Sequence, residues 1–454
     1  MSPDFGIIGG GISGLVAAYR LRVAAGPLAS ITLFEPADRL GGALRTERIA
    51  DQPFDIGAEA FLARRPEVPR LLAELGMSEL AIGSRSAARP TLYSGGRHHR
   101  MPVGTVMGIP TQSSSMIGLV DDETVARIDE EPARPMHWIT GADPSVAELV
   151  GDRFGQQVLT RSVDPLLGGV YAGSAATIGV RSVIPAVAAA LDGGAANLTA
   201  ALKASVPAPA GGDVPMFGAI RGGFELLVDE LVRASKVQWV RATATRIDSA
   251  TGGWEVRHGD GQRSRFDGLV LAVPAPRLSS LIQSIAPITA AAATRIEVAS
   301  AVVVALALPE GTALPDQSGV LVGSDEPLRT KAITLSSRKW AKTGNVELVR
   351  VSFGRFGESA AIGASDADLL EWARHDLATI FGIDARPLDS RIHRWTDALP
   401  QYGPNHGDLV AELRSGLPPQ IEVAGAYLDG IGVPACASSA TKAAQFLTAA
   451  VMAT

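Results

Sequence analysis

Apolar residues at the start of the chain follow an order typical of an α/β unit. Residues 5–9 form a short apolar run that passes into glycines and then into residues 15–21, whose apolar positions have helical spacing. A second apolar run over residues 30–35 ends in Glu35. This order of strand, glycine turn, helix and strand predicts an α/β fold that begins with a Rossmann-type unit.

The same patterning predicts a helical region after the first sheet elements. Residues 66–76 form a helix stopped by Gly76, and residues 91–102 form a hairpin about a Ser-Gly-Gly turn. Pro144 at a first helical position and the Ser145 to Glu148 spacing mark another helix start, and the pattern stays mostly helical to about residue 202. Residues 206–215, rich in Pro, Ala and Gly, are expected to be a linker.

The second half of the chain is expected to be richer in strands. A helix begins in the segment that starts at Phe217, and strands follow from Val237 to Arg257 and over residues 266–274. Residues 301–308, 331–335 and 346–353 are predicted to be strands of a second, inserted sheet. Residues 423–427 and 430–434 are expected to return the chain to the first sheet.

Composition and charge exclude several classes of protein. The 454 residues, 46% hydrophobic and 19% charged, can build a large core over two or three domains. A net charge of -6 offers no basic field for nucleic acid. The single cysteine, Cys436, excludes an internal disulfide, and without a Cys or His cluster we expect no metal site. Cys436 is more typical of a small buried hydrophobe than of a reactive thiol.

The chain also lacks the signals of export and membrane insertion. Its first residues carry no positive n-region, and no apolar stretch of about 20 residues is free of charge or proline. We therefore expect a cytoplasmic protein with at most peripheral membrane contact.

The first glycine turn carries the chemistry of a dinucleotide site. In the sequence Gly9-x-Gly11-x-x-Gly14, Gly9 makes the tight turn, Gly11 lets the backbone approach a pyrophosphate, and Gly14 allows close packing of helix on strand. Glu35, 21 residues after Gly14, is at the spacing of a carboxylate that binds an adenosine ribose. These features together predict a dinucleotide, whereas the glycines alone could be an ordinary turn.

The residues after Glu35 separate FAD from NAD. The signature Glu35-x3-Arg39-x-Gly-Gly42 resembles that of the FAD-dependent superfamily of amine oxidases, phytoene desaturases and protoporphyrinogen oxidases. The resemblance implies FAD, with Arg39 and Arg45 beside its phosphates. A plain alternative is a solvated ion pair between Glu35 and Arg39 on one helix turn. The remaining cofactor contacts that the resemblance implies are made by Gly57, Ala58, Glu59, Ala244, Gly425, Gly432, Val433 and Pro434.

The middle and end of the chain are more selective than its beginning. Residues 164–173, which include Gly169-Val-Tyr-Ala-Gly, and residues 181–185 resemble blocks of the porphyrinogen oxidase family. The segment of Gln401, Tyr402 and His406, together with residues 423–444, resembles the C-terminal blocks of the same family. The resemblance covers nearly the whole chain, and it departs from the family pattern at Ala440 and at Arg89-Pro90.

The resemblance implies a site in which the protein orients the substrate and FAD carries out the oxidation. No catalytic acid–base pair is expected. The carbonyl of Gly169 would lie near the pyrrole N–H groups and the side chain of Leu321 against the macrocycle, although Leu321 could equally be ordinary strand core. Arg89 is a candidate for a substrate carboxylate. Other cationic candidates, each of which could be plain solvated surface, are Arg97, Arg100, Lys331, Arg338 and Lys339.

The resemblance implies a tetrapyrrole substrate and molecular oxygen as the electron acceptor. The soluble bacterial members oxidise coproporphyrinogen III, in a six-electron reaction that yields three H2O2, and a downstream ferrochelatase would be a partner. Membrane-associated members take protoporphyrinogen IX, which remains an alternative. Two rival interpretations are an amine oxidase or carotenoid desaturase, and a lipid escort protein that holds no flavin.

We expect three structural units. Residues 1–75, 215–275 and 390–454 would form the FAD-binding domain, and residues 76–100 with 276–389 an α+β substrate-binding domain. Residues 101–214 would form a mostly helical subdomain.

Overall fold

The computed structural model describes residues 2–206, 215–340 and 344–453. All of the expected linker 206–215 except its two end residues lies outside the described residues. In chain order the strands are β1 Asp4–Ile8, β2 Ser30–Phe34, β3 Thr46–Ile49, β4 Gln52–Asp55, β5 Phe61–Leu62, β6 Ala81–Gly83, β7 Pro90–Ser94, β8 Arg97–Arg100, β9 Thr105–Val106, β10 Ile109–Pro110, β11 Phe217–Ile220, β12 Gln238–Val240, β13 Ala244–Ala250, β14 Gly253–His258, β15 Gln262–Phe266, β16 Gly268–Leu271, β17 Val298–Pro309, β18 Gly319–Val322, β19 Thr330–Leu335, β20 Val346–Phe353, β21 Asp389–Pro400 and β22 Ile421–Val423.

Helices connect and cover these strands. The α-helices are α1 Ile12–Ala25, α2 Glu67–Glu74, α3 Asp122–Glu130, α4 Val146–Phe154, α5 Gln156–Val158, α6 Asp164–Tyr171, α7 Val180–Val183, α8 Pro185–Asp192, α9 Leu198–Ser205, α10 Glu225–Ser235, α11 Ala275–Ile282, α12 Pro287–Thr294, α13 Ser336–Lys339, α14 Ala360–Gly363, α15 Asp366–Phe381, α16 His406–Ser415 and α17 Val433–Met452. Short 3-10 turns occupy Ser78–Leu80, Ser113–Ser115 and Glu131–Ala133, and a π-helical turn occupies Leu159–Val163.

A parallel five-stranded sheet is the centre of the first unit, in the order β12-β2-β1-β16-β22. The apolar strand β1 is buried between β2 and β16, as its continuous run of hydrophobic residues predicts. Helices α1 and α17 pack on one face of the sheet in a shared core that contains Leu15, Leu21 and Leu447. This arrangement confirms the predicted α/β fold with a Rossmann-type domain.

A seven-stranded mixed sheet forms the second unit, in the order β21-β17-β20-β19-β18-β7-β8. Alternate residues of β17 point to opposite faces of the second sheet. Val304 and Leu306 pack under helix α15, whereas Val303 and Ala305 pack against β3 and β4 of the first unit. The second sheet therefore lies against the first unit through its inner face. The strands expected over 301–308, 331–335 and 346–353 are all present in this sheet.

Helices α3–α9 share a third core with Leu92 of β7 and with Leu321 of β18. The helix start expected near residue 144 is shifted. Ser145 is the N-cap and forms a capping box with Glu148. Pro144 thus precedes the cap instead of occupying the first helical position. The Ser–Glu spacing was the stronger signal because it satisfies two backbone N–H groups at once.

Three further features differ from the expectations. Residues 217–220 form β11, which pairs with β5 and β6, and the helix begins only at Glu225. Strand β21 pairs with β17, so residues 390–400, which were expected in the FAD-binding domain, are hydrogen-bonded to the second sheet. Helices α11 and α12 pack in one core with Ile8 and Phe34 of the first sheet, although residues 276–389 were expected to be separate from it. Tertiary pairing overrides local pattern at these positions. The division into three units itself stays a prediction.

Candidate functional site

Loops that follow parallel strands meet at one edge of the first sheet. The carboxyl ends of β1, β2, β16 and β22 all lie at this edge because the strands run parallel. In open α/β sheets ligands bind outside the carboxyl ends of the strands. Gly9, Glu35 and Gly425, which the sequence singled out, follow three of these strands directly or by one further residue.

The glycine turn after β1 has no room for side chains at two of its positions. Gly9 has a φ of +108°, and a Cβ there would lie 2.3 Å from the carbonyl oxygen of Ala272. A Cβ on Gly14 would lie 1.9 Å from the carbonyl oxygen of Gly9, so only glycine lets α1 sit this close to β1. A Cβ on Gly11 would meet only the Cα of Gly42 at 3.9 Å, and therefore points into open space. The turn therefore leaves an open space above the backbone of Gly11, and this space is the cradle.

Two helices begin at this cradle. Gly11 is the N-cap of α1 and Gly432 the N-cap of α17, and neither helix has a side-chain cap hydrogen bond. The two helix starts share one buried core, which contains Ile12 of α1 and Val433 and Cys436 of α17. Uncapped N–H groups at adjacent helix N-termini attract an anion. The cradle and its donors therefore fit the pyrophosphate of FAD.

Glu35 stands at the end of β2, where a ribose-binding carboxylate is expected. Its Oε2 accepts a 2.9 Å hydrogen bond from the amide of Gly10, and its Oε1 accepts a 3.1 Å bond from the amide of Ala37. A carboxylate has about four lone-pair sites, so both oxygens keep capacity for ribose hydroxyls. The two backbone bonds fix the carboxylate beside the cradle.

Arg39 closes the loop that covers the cradle. Its guanidinium donates to the carbonyl oxygens of Leu40 at 3.1 Å, Gly42 at 2.6 Å and Leu44 at 3.0 Å. Burial and the nearby Arg45 lower the pKa of Arg39. These three bonds hold the loop in place. Arg39 forms no ion pair with Glu35, so the alternative of a solvated Glu35–Arg39 pair is not what the structure shows. The phosphate contact of Arg39 stays a prediction.

Gly42 and Arg45 lie in and directly after the loop segment that Arg39 holds in place. Gly42 approaches the glycine turn so closely that a Cβ would sit 2.9 Å from the Cα of Gly11. Arg45 forms an ion pair with Glu47 at 2.5 Å and is one-third exposed. Gly42 therefore lies against the cradle, and the partly exposed Arg45, three residues further along the same loop, is called its rim.

The segment after β4 joins the first unit to the second sheet. A Cβ on Gly57 would lie 1.9 Å from the carbonyl oxygen of Ala43, and the amide of Ala58 donates to that same oxygen at 2.9 Å. The indole of Trp395, from β21, donates to the carbonyl of Ile56 at 3.2 Å. Backbone at Gly57 and Ala58 is therefore held between the two sheets, and its contact with the cofactor stays a prediction.

Glu59 is the centre of a buried charge cluster. Its Oε1 lies 3.3 Å from Nζ of Lys339 and accepts a 2.9 Å bond from the Trp340 indole, and Oε2 lies 4.0 Å from Arg350. Burial alone would raise the pKa of Glu59, but Lys339 and Arg350 outweigh it and lower the pKa. Glu59 thus stays ionised, and its side chain is committed to this cluster.

The remaining cofactor candidates are spread over three segments. Ala244 begins β13 and shares a core with Phe34, the last residue of β2. Gly425 donates its amide to the Ser439 hydroxyl at 3.3 Å, so the departure at Ala440, which is fully buried, leaves this link intact. Gly432, Val433 and Pro434 form the first turn of α17 at the cradle. The fold therefore brings Gly425 and residues 432–434 to the same edge as Gly11.

The structure brings two of the three substrate candidates together. A Cβ on Gly169, in α6, would lie 3.2 Å from Cδ2 of Leu321 in β18. Leu321 is half-buried and faces the helical core together with Leu92. Arg89 is exposed ahead of β7, where its backbone carbonyl accepts a 3.3 Å hydrogen bond from the amide of Ser318. Arg89 is therefore not joined to Gly169 and Leu321.

Two largely buried arginines on or next to β20 were missed by the sequence reasoning. Arg350, in β20, donates to the carbonyl of Asp55 at 2.9 Å and so links the second sheet to the end of β4. Arg355 follows β20, and its Nε lies 3.7 Å from where a Cβ of Gly168 would be. A charged residue inside the apolar run Val346–Phe353 was a usable signal for Arg350. The sequence around Arg355 carried no such signal, because the burial of Arg355 depends on its contact with α6.

Aromatic and polar side chains form a group around Tyr402, in a segment that the sequence resemblance singled out. The rings of Tyr402 and His406 stack at 4.2 Å, and the Tyr402 hydroxyl donates to the carbonyl of Ala426. The amide nitrogen of Gln401 donates to the carbonyl of Tyr171 at 2.9 Å. Burial lowers the pKa of His406 and raises that of Tyr402. Neither ring is therefore disposed to exchange a proton near neutral pH.

Within residues 2–206, 215–340 and 344–453, no cluster of His, Cys, Asp and Glu could hold a metal ion. Among the helices in these ranges, none is long and apolar enough to cross a membrane. Cys436 is buried, and burial raises the pKa of its thiol to about 11, which agrees with its expected role as a small hydrophobe.

Comparison with known proteins places the chain in a family. Residues 12–447 match the family described as flavin-containing amine oxidoreductase. A Mycobacterium tuberculosis protein named coproporphyrinogen III oxidase is 59% identical over 98% of this chain and 97% of its own length. Human protoporphyrinogen oxidase is 27% identical over 96% of this chain and 97% of its own length.

The fold has a counterpart among solved structures. A structure from Exiguobacterium sp. 255-15, provisionally assigned as a protoporphyrinogen oxidase, superposes with a TM-score of 0.87 at 25% identity over 99% of both chains. Membership of a flavin-containing family confirms the predicted FAD cofactor, which the cradle over Gly11 fits. The chain belongs to the flavin-containing amine oxidoreductase family and, within it, groups with the mycobacterial proteins named coproporphyrinogen III oxidase.

Proposed function

We propose that this protein is an FAD-dependent oxidase that converts coproporphyrinogen III to coproporphyrin III in heme biosynthesis. The observation that carries the proposal is the 59% identity with the Mycobacterium tuberculosis coproporphyrinogen III oxidase over nearly the full length of both chains. The reaction removes six electrons and six hydrogens, and three O2 become three H2O2. Each two-electron step is hydride chemistry that bound FAD supplies.

In this proposal the protein itself holds FAD with the residues of the cradle and its rim. Gly11 gives the pyrophosphate close access to backbone. Gly9, Gly14 and Gly42 allow the close packing that shapes the cradle, and the starts of α1 and α17 supply N–H donors. Glu35 binds the ribose, and Arg39 and Arg45 add positive charge near the phosphates. Further contacts come from Gly57, Ala58, Glu59, Ala244, Gly425, Gly432, Val433 and Pro434.

The protein orients the porphyrinogen and excludes water from it. The Gly169 carbonyl accepts hydrogen bonds from pyrrole N–H groups, and Leu321 packs on the flat face of the macrocycle. The contact between Gly169 and Leu321 supports this pairing. Because α6 is joined to the second sheet through the bond from the Phe356 amide to the Ala172 carbonyl, the orienting wall is a fixed part of the fold.

We further propose a cytoplasmic location and a downstream ferrochelatase that takes the porphyrin product. We propose at most peripheral contact with a membrane. No helix in the part of the chain that the structure describes is long and apolar enough to span one. The charge of -6 gives no support for a nucleic acid partner.

Protoporphyrinogen IX is the alternative substrate. Human protoporphyrinogen oxidase matches the chain over a similar length but at 27% identity, against 59% for the mycobacterial enzyme. An amine oxidase, a desaturase and a flavin-free escort protein remain less favoured rivals. A preparation without flavin absorbance would favour the escort protein.

The test is the appearance of porphyrin fluorescence when the purified FAD-loaded protein meets each porphyrinogen in air. We expect a larger kcat/KM with coproporphyrinogen III than with protoporphyrinogen IX, measured above the autoxidation blank without enzyme. A preference for protoporphyrinogen IX would select the alternative. Fluorescence no faster than the blank with both substrates would reject the porphyrinogen oxidase function.

A further inference from the structure

We propose that Lys331 and Arg355 form a binding subsite for one propionate carboxylate of the porphyrinogen, directly behind the Gly168–Gly169 backbone. The inference rests on the proposed function and adds a specificity residue pair to it. It replaces Arg89 as the leading candidate for a substrate carboxylate.

The first argument is position. Arg355 Nε lies 3.7 Å from the Cβ position of Gly168, and the next residue, Gly169, contacts Leu321. Arg355 also donates to the carbonyl of Val322, one residue beyond Leu321, at 3.4 Å. The guanidinium thus borders the same turn of α6 that is proposed to orient the macrocycle. A propionate at the edge of a macrocycle packed on Leu321 would reach it.

The second argument is an imbalance of charge. Lys331 is 6% exposed, and its ammonium donates to the carbonyl of Gly354 at 2.5 Å. Arg355 follows Gly354, and its carboxylate partner is Glu358, at 3.8 Å and 47% exposed. Burial lowers the pKa of both cations, and brings that of Lys331 to about 7. The buried ammonium of Lys331 and the largely buried guanidinium of Arg355 therefore share one loosely held carboxylate, although buried charges are normally paired.

The third argument is an unused donor. The Nε–H of Arg355 is buried and has no acceptor. Asp164, the nearest acid on α6, accepts from the Ala175 amide at 2.7 Å and from the Ser324 hydroxyl at 2.9 Å. A buried donor without an acceptor carries a desolvation cost that a ligand oxygen would remove. A carboxylate meets both needs, since it brings a negative charge and acceptor oxygens together.

The test compares variants of the FAD-loaded full-length enzyme in turnover and in equilibrium binding. We expect Arg355→Gln to raise the KM for coproporphyrinogen III and to weaken binding of coproporphyrin III by about 10-fold or more, with a much smaller change in kcat. Lys331→Met should act in the same direction. Arg355→Lys should recover part of the loss, because it restores the charge without the planar fork.

Two comparisons make the test specific for a carboxylate. Coproporphyrin III tetramethyl ester has no free carboxylate, so Arg355→Gln should leave its binding almost unchanged. Glu358→Gln should tighten binding of the free acid, because it removes the competing carboxylate. Arg394→Gln is the matched control: Arg394 donates to the Ala364 carbonyl and pairs with Asp366 beside α15, on the opposite face of the sheet.

The outcomes separate the subsite from the function. Unchanged KM and binding in Arg355→Gln and Lys331→Met, with an active wild type, overturn the subsite and leave the function standing. Equal weakening of acid and ester also overturns it, since packing rather than charge would then be lost. If Arg355→Gln does not fold, Lys331→Met and Glu358→Gln decide the question through their opposite signs. A wild type that neither binds coproporphyrin III nor oxidises its porphyrinogen overturns both proposals.

Discussion

Asp55 is a carboxyl group whose ionisation the fold disfavours. Burial raises the pKa of Asp55 to about 6, although hydrogen bonds from the Thr46 hydroxyl and the Phe224 amide act in the opposite direction. Both of these donors bind the same oxygen, Oδ1. The side chain therefore serves as a hydrogen-bond acceptor between three segments, and its negative charge is not required for that role.

This environment predicts a pH dependence of stability. The folded-state pKa lies above the model-compound value of 3.8, so the folded protein holds more protons than the unfolded chain between about pH 4 and 6, and stability falls as pH rises through that window. Asp55→Asn keeps the acceptor and removes the titration. We expect the variant to gain stability relative to wild type from pH 4 to 6, measured by urea unfolding.

The exposed Asp129→Asn is the control for that series. Its difference from wild type should stay flat over the same window. A flat difference for Asp55→Asn as well, or a gain by wild type, would show that the Asp55 carboxyl ionises freely in the fold.

At the scale of elements, the closest approach in the cofactor site is between β1 and α1. A methyl group on residue 14 cannot fit 1.9 Å from the Gly9 carbonyl, so Gly14→Ala must push α1 away from the sheet and open the cradle. We expect the purified variant to carry much less FAD than wild type, by flavin absorbance per protein.

Gly407→Ala is the matched control for this substitution, because a Cβ on Gly407 in α16 meets no atom within 4 Å. It should bind FAD at the wild-type level. Full FAD occupancy in Gly14→Ala would contradict the assignment of the glycine turn to the cofactor.

The contact of α6 with β18 allows a second test at this scale. Gly169→Ala places a methyl group against Leu321, and Leu321→Ala removes the side chain that it meets. We therefore expect the two substitutions to be non-additive in kcat/KM for coproporphyrinogen III, with a coupling of about 0.5 kcal/mol or more. Gly407→Ala combined with Leu321→Ala should be additive. Additive effects of the first pair would separate Gly169 from Leu321 in function.

Sequence reasoning was most reliable where one short segment carries the whole geometry. The turn of Gly9, Gly11 and Gly14 could be predicted because its backbone demands glycine locally. Strand β11 could not, because residues 217–220 become a strand only by pairing with β5 and β6. Arg355 could not either, since its role depends on α6, almost two hundred positions away in the sequence.

At the scale of the whole molecule, the site is assembled from segments that are distant in the chain. Strand β1 pairs with β16, and β16 pairs with β22, so the first and last parts of the sequence meet at one sheet edge. The second sheet is joined to that edge through Arg350 and Trp395, which donate to the carbonyls of Asp55 and Ile56. The proposed cofactor and substrate sites are thus two sides of one junction.

The most direct measurement of the central claim is the stoichiometry of the reaction. Purified protein with FAD is mixed with coproporphyrinogen III in air, and H2O2 and coproporphyrin III are quantified against a blank without enzyme. We predict three H2O2 for each coproporphyrin III formed, at a rate well above the blank. Porphyrin formation no faster than the blank, or H2O2 released from an amine but not from the porphyrinogen, would contradict the assignment as a coproporphyrinogen III oxidase.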